Sequence, residues 1–195
     1  MIAVISKEQF LDMENSSSNA GCTIKFREDS IFLDPRNIEL GARIVTNLEK
    51  LYLSLKKLGL QSFDKNEYYK LSHKIGIPQN NTEKLQNKLF GIECNLDELK
   101  AIDFKKGCYV GQENTARIKL KDKLSKRLLP IEVIEGDLEE DVIALEKDEI
   151  GKVLINDNYP YALIKVKNEK FDFGKTFNCG SAKVKIKKPD WLKIT

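Results

Sequence analysis

Leu128-Leu129-Pro130-Ile131-Glu132-Val133-Ile134 is a run of mostly branched and apolar residues, closed by the turn-forming Glu135-Gly136-Asp137. The texture then repeats. Residues 142–145, 153–155, 162–166 and 182–186 are short strand-forming runs, and Lys147-Asp148-Glu149, Asn156-Asp157-Asn158 and Cys179-Gly180-Ser181 are the turn chemistry between them. Strands of this length with turns at this spacing predict a small antiparallel β-barrel over residues 125–195. Lys183, Lys185 and Lys187 alternate with Val184 and Ile186, which reads as a strand with one wet face rather than a nucleic-acid contact. Pro189-Asp190-Trp191-Leu192 places the only tryptophan at a packed terminus.

Upstream the pattern differs. Ile2-Ala3-Val4-Ile5 is a short apolar run, and Ser6-Lys7-Glu8-Gln9 reads as the start of a brief helix carrying Phe10, Leu11 and Met13. After a polar loop at 15–19, Cys22-Thr23-Ile24-Lys25-Phe26 and Ser30-Ile31-Phe32-Leu33 read as strands joined by Arg27-Glu28-Asp29, with Asp34-Pro35 ending the second and Ala42-Arg43-Ile44-Val45 forming a third. Leu48, Leu51, Tyr52, Leu55 and Leu58 share one helix face, and Gly59 stops the run. Asp64 and Glu67 form a capping-box pattern ahead of a helix with Tyr68, Leu71 and Ile75 on its apolar face, closed by Gly76 and Pro78. His73 lies off that face and reads as a surface histidine. Residues 79–95 read as a loop with one helical turn near 83–89. The expected architecture is α+β, a sheet layer with helices over residues 1–124 and the barrel over 125–195.

Composition narrows the function classes. The 195 residues are 41% apolar, enough for a globular core. Lysine and arginine total 33 against 30 acidic residues, a net charge of +3, and only five of the basic residues are arginine. That balance argues against a nucleic-acid protein and fits a solvated surface. Four dispersed cysteines, Cys22, Cys94, Cys108 and Cys179, with a single histidine, disfavour a metal site within one subunit and fit a reducing compartment. No run is long and apolar enough to read as a membrane span, and no leader is visible.

The chemistry-bearing stretch is Lys106-Gly107-Cys108-Tyr109-Val110-Gly111-Gln112-Glu113. Gly107 and Gly111 permit a sharp turn with positive φ on either side of the cysteine. Residues 112–120 have helix composition, so Cys108 sits near free backbone N–H groups with Lys106 close by, conditions that lower a thiol pKa. The same residues also fit an ordinary turn around a small buried thiol. Glu113 suits the first turn of a helix whatever the function, and Glu113 and Arg117 make an i, i+4 pair. Phe104 is expected to anchor the elbow in the core. With the only histidine in another segment, a protease-like dyad is excluded, while thiolate chemistry in sulfur, iron or redox exchange is not.

This stretch resembles the signature of the YgfZ-type proteins, folate-binding relatives of the glycine-cleavage (GcvT-like) aminomethyltransferase, which reads K-G-C-[FY]-x-G-Q-E. The likeness extends over Asp34-Pro35-Arg36, Gly41-Ala42-Arg43, Gly76-Ile77-Pro78, Glu93-Cys94-Asn95-Leu96, Thr115-Ala116-Arg117 and Lys126-Arg127-Leu128. It is greatest to the mitochondrial and alphaproteobacterial branch, which serves maturation of [4Fe-4S] proteins. The resemblance implies a ferredoxin-like lobe before the barrel. It implies Cys108 and Lys106 as the catalytic pair, with Gly107, Tyr109, Gly111, Gln112 and Glu113 as cofactor-binding motif positions. It further implies tetrahydrofolate as cofactor, a transient iron–sulfur cluster through Cys108, and iron–sulfur assembly proteins and [4Fe-4S] client enzymes as partners, in a bacterial cytoplasm or the mitochondrial matrix, without membrane.

Two departures bear on activity. The chain starts where the second lobe of its relatives starts, so the segment that helps wall their folate cavity is expected to be missing. Ser72-His73-Lys74-Ile75 stand ahead of Gly76, where the aminomethyltransferases carry a pterin-binding carboxylate. The expectation is therefore an accessory factor rather than an active aminomethyltransferase. A tetrahydrofolate-dependent one-carbon transferase and a tRNA-modification partner are the alternatives.

Overall fold

The computed structural model describes residues 2–107, 112–120 and 124–193. The chain divides into two compact units, Met1–Glu67 and Tyr68–Thr195.

The first unit is a four-stranded antiparallel sheet with helices, as the apolar runs predict. Strand β1 (Ile2–Ile5) leads into helix α1 (Lys7–Leu11). Ser6 Oγ accepts from the Gln9 N–H at 3.2 Å while Gln9 Oε1 accepts from the Ser6 N–H at 3.0 Å, so two orphan donors are satisfied reciprocally. Strands β2 (Thr23–Phe26), β3 (Asp29–Leu33) and β4 (Ala42–Val45) follow, and the order across the sheet is β1-β4-β3-β2. One face carries Ile24, Ile31, Leu33, Ala42 and Ile44, which pack with Phe10 into the core of this unit. Gly41 has φ of +78°, and a Cβ there would fall 2.1 Å from the Ile5 carbonyl oxygen, so only glycine lets β1 approach.

Helix α2 (Leu48–Lys57) is capped by Asn47, whose side chain accepts from the Lys50 N–H at 2.7 Å. Its end is a Schellman motif: the Gly59 N–H reaches the Lys56 carbonyl and the Leu60 N–H the Leu55 carbonyl. The buried face differs from expectation at one place. Leu51 and Ser54 are buried, whereas Tyr52 is 68% exposed, because it sits one residue around from Leu51 and so turns off the stripe.

In the second unit, helix α3 (Lys65–Ile75) runs on from its start in the first unit, where Asp64 Oδ1 accepts from the Asn66 N–H. It ends at Gly76 as predicted, again with a Schellman pair, Gly76 N–H to His73 O and Ile77 N–H to Ser72 O. Residues 82–85 form a 3-10 turn inside the expected loop. Helix α4 (Gln112–Leu120) follows the thiol motif.

The barrel then closes in the order β10-β5-β8-β7-β6-β9, with β5 (Lys126–Glu135), β6 (Val142–Leu145), β7 (Asp148–Ile155), β8 (Tyr161–Lys165), β9 (Thr176–Cys179) and β10 (Ala182–Ile186). Leu129, Ile131, Ile164, Phe177, Val184 and Ile186 are among the side chains that fill it. Two expectations are corrected. Asp148 and Glu149 belong to β7, because Leu145 pairs with Asp148 and leaves a tighter hairpin at Glu146-Lys147. Cys179 is the buried end of a strand, because the bend needs only Gly180, with φ of +59°, and Ser181. Trp191 is packed as expected, its Nε1 donating to the Ile75 carbonyl at the end of α3 at 2.8 Å.

Candidate functional site

The arms of the thiol motif are described; Cys108, Tyr109 and Gly111 lie outside the described residues. On the entering arm Lys105, Lys106 and Gly107 are exposed. Gly107 does not take a positive φ, and a Cβ there would meet nothing within 4 Å, so packing does not demand glycine at this position. On the leaving arm α4 begins at Gln112, with Glu113 exposed in its first turn, so the expected helix is present directly beyond Gly111.

Phe104 does not anchor in the core. It is 38% exposed and serves instead as a platform: Lys119 Nζ of α4 stands 4.5 Å from its ring centroid and also pairs with the Asp97 carboxylate. The two arms are thus tied together by one ammonium group. Asp97 belongs to a series of turns that is itself fastened to the barrel. Asn95, buried and left-handed with φ of +61°, donates from Nδ2 to the Leu128 carbonyl at 2.8 Å and accepts on Oδ1 from Arg127 Nη1 at 3.2 Å. Arg127 Nη2 lies 2.6 Å from Glu98 Oε1, and the Leu128 N–H donates to the Glu93 carbonyl at 2.8 Å. Residues 93–98 and 127–128, distant in sequence, form one clamp that fastens these turns to the barrel.

A second signature cluster is structural. Asp34, 1% exposed, accepts at Oδ1 from the N–H and Nε of Arg36, both at 3.0 Å, and at Oδ2 from Arg36 Nη2 at 2.7 Å and Arg43 Nε at 3.0 Å. Burial on its own would raise the Asp34 pKa, but these donors and the Arg36 charge hold it below the usual carboxylate range.

Two of the other thiols, Cys94 and Cys179, differ from what a reactive cysteine needs. Burial pushes Cys94 up to about 11, beside Leu128, Ile155 and Tyr161. Cys179 is buried inside the barrel, its Sγ donates to the Glu140 carbonyl at 3.1 Å, and its pKa is raised mainly by burial. Among the described residues no three histidine, cysteine or acidic side chains converge on a metal-binding point. No helix among them is long and apolar enough to cross a membrane.

His73 is not the surface histidine that the helix periodicity predicts. It is half-buried, with Nε2 3.0 Å from the Pro160 carbonyl and its ring edge-on to Tyr161 at 5.2 Å and tilted on Tyr159 at 5.9 Å. Burial lowers its pKa more than the Pro160 carbonyl raises it. The signal that locates it is not in the helix periodicity but in Tyr159-Pro160-Tyr161, more than eighty residues away.

No family model matches the chain. Among curated proteins it is 33% identical over 111 residues to the "Iron-sulfur cluster assembly factor IBA57 homolog, mitochondrial" of Dictyostelium discoideum, covering 56% of this chain and 27% of that protein. It is 36% identical over 97 residues to the protein of the same name from Neurospora crassa, covering 50% and 22%, and 44% identical over 62 residues to the Aspergillus oryzae one, covering 32% and 14%. The matched part thus spans about a quarter or less of these relatives' own length. The matches are partial, of moderate identity, and point to the same family as the signature.

Proposed function

We infer that this chain takes part in the maturation of [4Fe-4S] proteins, with Cys108 as its working thiol and Lys106 as the catalytic cation of the same motif. The observation that carries this reading is the sequence match to curated iron–sulfur cluster assembly factors. Two features support the assignment to Cys108. Cys94, half-buried, and Cys179, buried, both have raised thiol pKa values, and α4 offers its N-terminal N–H groups directly beyond the motif. The iron–sulfur cluster is the cargo in this reading, and assembly proteins and client enzymes in a bacterial cytoplasm or the mitochondrial matrix are the partners. Gly107, Tyr109, Gly111, Gln112 and Glu113 are the motif positions that would bind a cofactor in this reading.

Tetrahydrofolate does not fit the two clefts described in the second unit. A pterin ring needs a largely apolar enclosure with a few placed polar groups. One cleft, of about 940 Å³, is lined mainly by lysines, acids and asparagines, and the other, of about 440 Å³, by four lysines and two acids, with Val153, Leu154 and Leu163 as its apolar part.

The test is complementation of a strain lacking the gene, reading [4Fe-4S] dehydratase activity in extracts against an enzyme with no cluster. The wild-type chain is expected to restore activity and Cys108→Ser to leave it at the empty-vector level. Full restoration by Cys108→Ser, or none by the wild-type chain, defeats the reading.

A further inference from the structure

Strand β5 changes partners along its length. It pairs with β8 from Lys126↔Lys165 to Pro130↔Tyr161, and the Ile131 N–H makes the last bond, to the Pro160 carbonyl at 3.0 Å. Among the described residues, 132–135 then pair with β10 alone, so their other edge is open. All four are exposed, Val133 by 37% and Ile134 by 50%. The cleft of about 940 Å³ is lined by Ile131, Glu132 and Val133 of this stretch and by Lys70, His73 and Lys74 of α3.

The charges around the cleft are unevenly compensated. Glu132 is paired with Lys187 at 2.5 Å, and the Asp157 carboxylate is held by the side-chain amides of Asn80 and Asn81 and by the Tyr159 N–H. Asp137 adds one further carboxylate. Lys70, Lys74 and Lys188 line the same cleft and make no ion pair with any described residue. His73 is fixed by the Pro160 carbonyl and the Tyr161 ring, which makes that wall rigid.

We propose that this cleft receives an extended acidic segment of a partner protein, added as a strand along β5 at residues 132–135. An open strand edge presents alternating N–H donors and C=O acceptors at about 3.3 Å per residue, which another extended backbone satisfies in full. A phosphate backbone offers acceptors only and leaves the carbonyls unmet. Val133 and Ile134 supply apolar contact, and the three lysines select carboxylates over cationic peptides. The bulge opposite Lys183 and Val184 twists this edge, which disfavours indiscriminate pairing between copies.

The probe is a fluorescein-labelled peptide alternating valine with aspartate and glutamate, titrated into the full chain and followed by anisotropy and by amide shifts. Binding is expected with shifts centred on residues 131–136. A peptide with lysine for each acid, and one with proline at alternate positions to remove N–H donors, are expected to bind at least about tenfold more weakly, as is the acidic peptide to Lys70→Glu/Lys74→Glu. Both lysines are exposed on α3, and circular dichroism checks that the variant folds. If it does not, the proline and lysine peptides carry the test on the wild-type chain. Equal binding of the lysine or proline peptide, displacement of the acidic peptide by single-stranded RNA at lower concentration, or a dimer whose amide shifts fall on the same edge overturns the proposal.

Discussion

Asp34→Asn is the perturbation that interrogates the first unit most directly. The carboxylate is 1% exposed and takes four hydrogen bonds, three of them from guanidinium groups whose side chains are 28% and 21% exposed. The amide keeps one acceptor, loses the charge, and leaves Arg36 and Arg43 facing each other. Removing one partner of a buried ion pair costs about 3–5 kcal/mol. Because solvent still reaches both arginines, the lower end applies, and the loss at neutral pH is expected at about 3 kcal/mol. The sign of the pH dependence follows from the lowered pKa of Asp34. Its contribution is fully present above the unfolded carboxylate value near 3.8 and is lost as pH falls through the still lower folded value. Urea unfolding followed by circular dichroism, with hydrogen exchange of the β3 and β4 amides to localise the change, gives both quantities. The wild type should lose stability on acidification below pH ~4 more steeply than Asp34→Asn. A loss under about 0.5 kcal/mol at neutral pH, or identical acid slopes for the two proteins, would refute the assignment of a charged, stabilising Asp34.

Three further outcomes are expected. Gly76→Ala should cost about 3 kcal/mol in urea unfolding, since φ is +85° and the new Cβ would fall 2.4 Å from Pro189 Cγ. Arg27→Asn/Glu28→Gly should stabilise the β2–β3 hairpin by about 1–2 kcal/mol, because both residues hold positive φ, at 50° and 72°, in a turn that favours Asn-Gly; slower exchange of the Phe26 and Asp29 amides would register it. His73 has a lowered pKa, so the fold prefers neutral imidazole, and its stability contribution is present above pH ~6.5 and falls as pH drops toward the folded value. A proton-detected titration should give a midpoint below that of a free histidine, and a higher midpoint would contradict the burial seen against Tyr161.

Local signals were legible wherever the cause is local. The helix start at Ser6, the glycine stops at Gly59 and Gly76 and the alternation in β10 are all set by a few neighbouring residues, and each stands as expected. The misplacements share a different origin. Phe104 was expected in the core because it is aromatic, yet its partner is an ammonium group fifteen residues on. His73 was expected at the surface because helix periodicity puts it off the apolar face, yet that side of α3 meets Pro160 and Tyr161. Strand β9 has no signature in the sequence, because Thr176-Phe177-Asn178-Cys179 has only two apolar residues and becomes a strand by pairing with β10.

From the residues alone came the α+β class, the barrel in the second half, the helix beyond the thiol motif and the family likeness, since periodicity, turn chemistry and a short signature are properties of adjacent positions. Tertiary structure alone decided that Asn95, Glu98 and Arg127 form one clamp, that Asp34 gathers two arginines, and that β5 outruns β8 to leave an edge beside three lysines. Those arrangements depend on which distant segments share a surface, and burial, which strengthens every charge and hydrogen bond within them, exists only once the chain has folded.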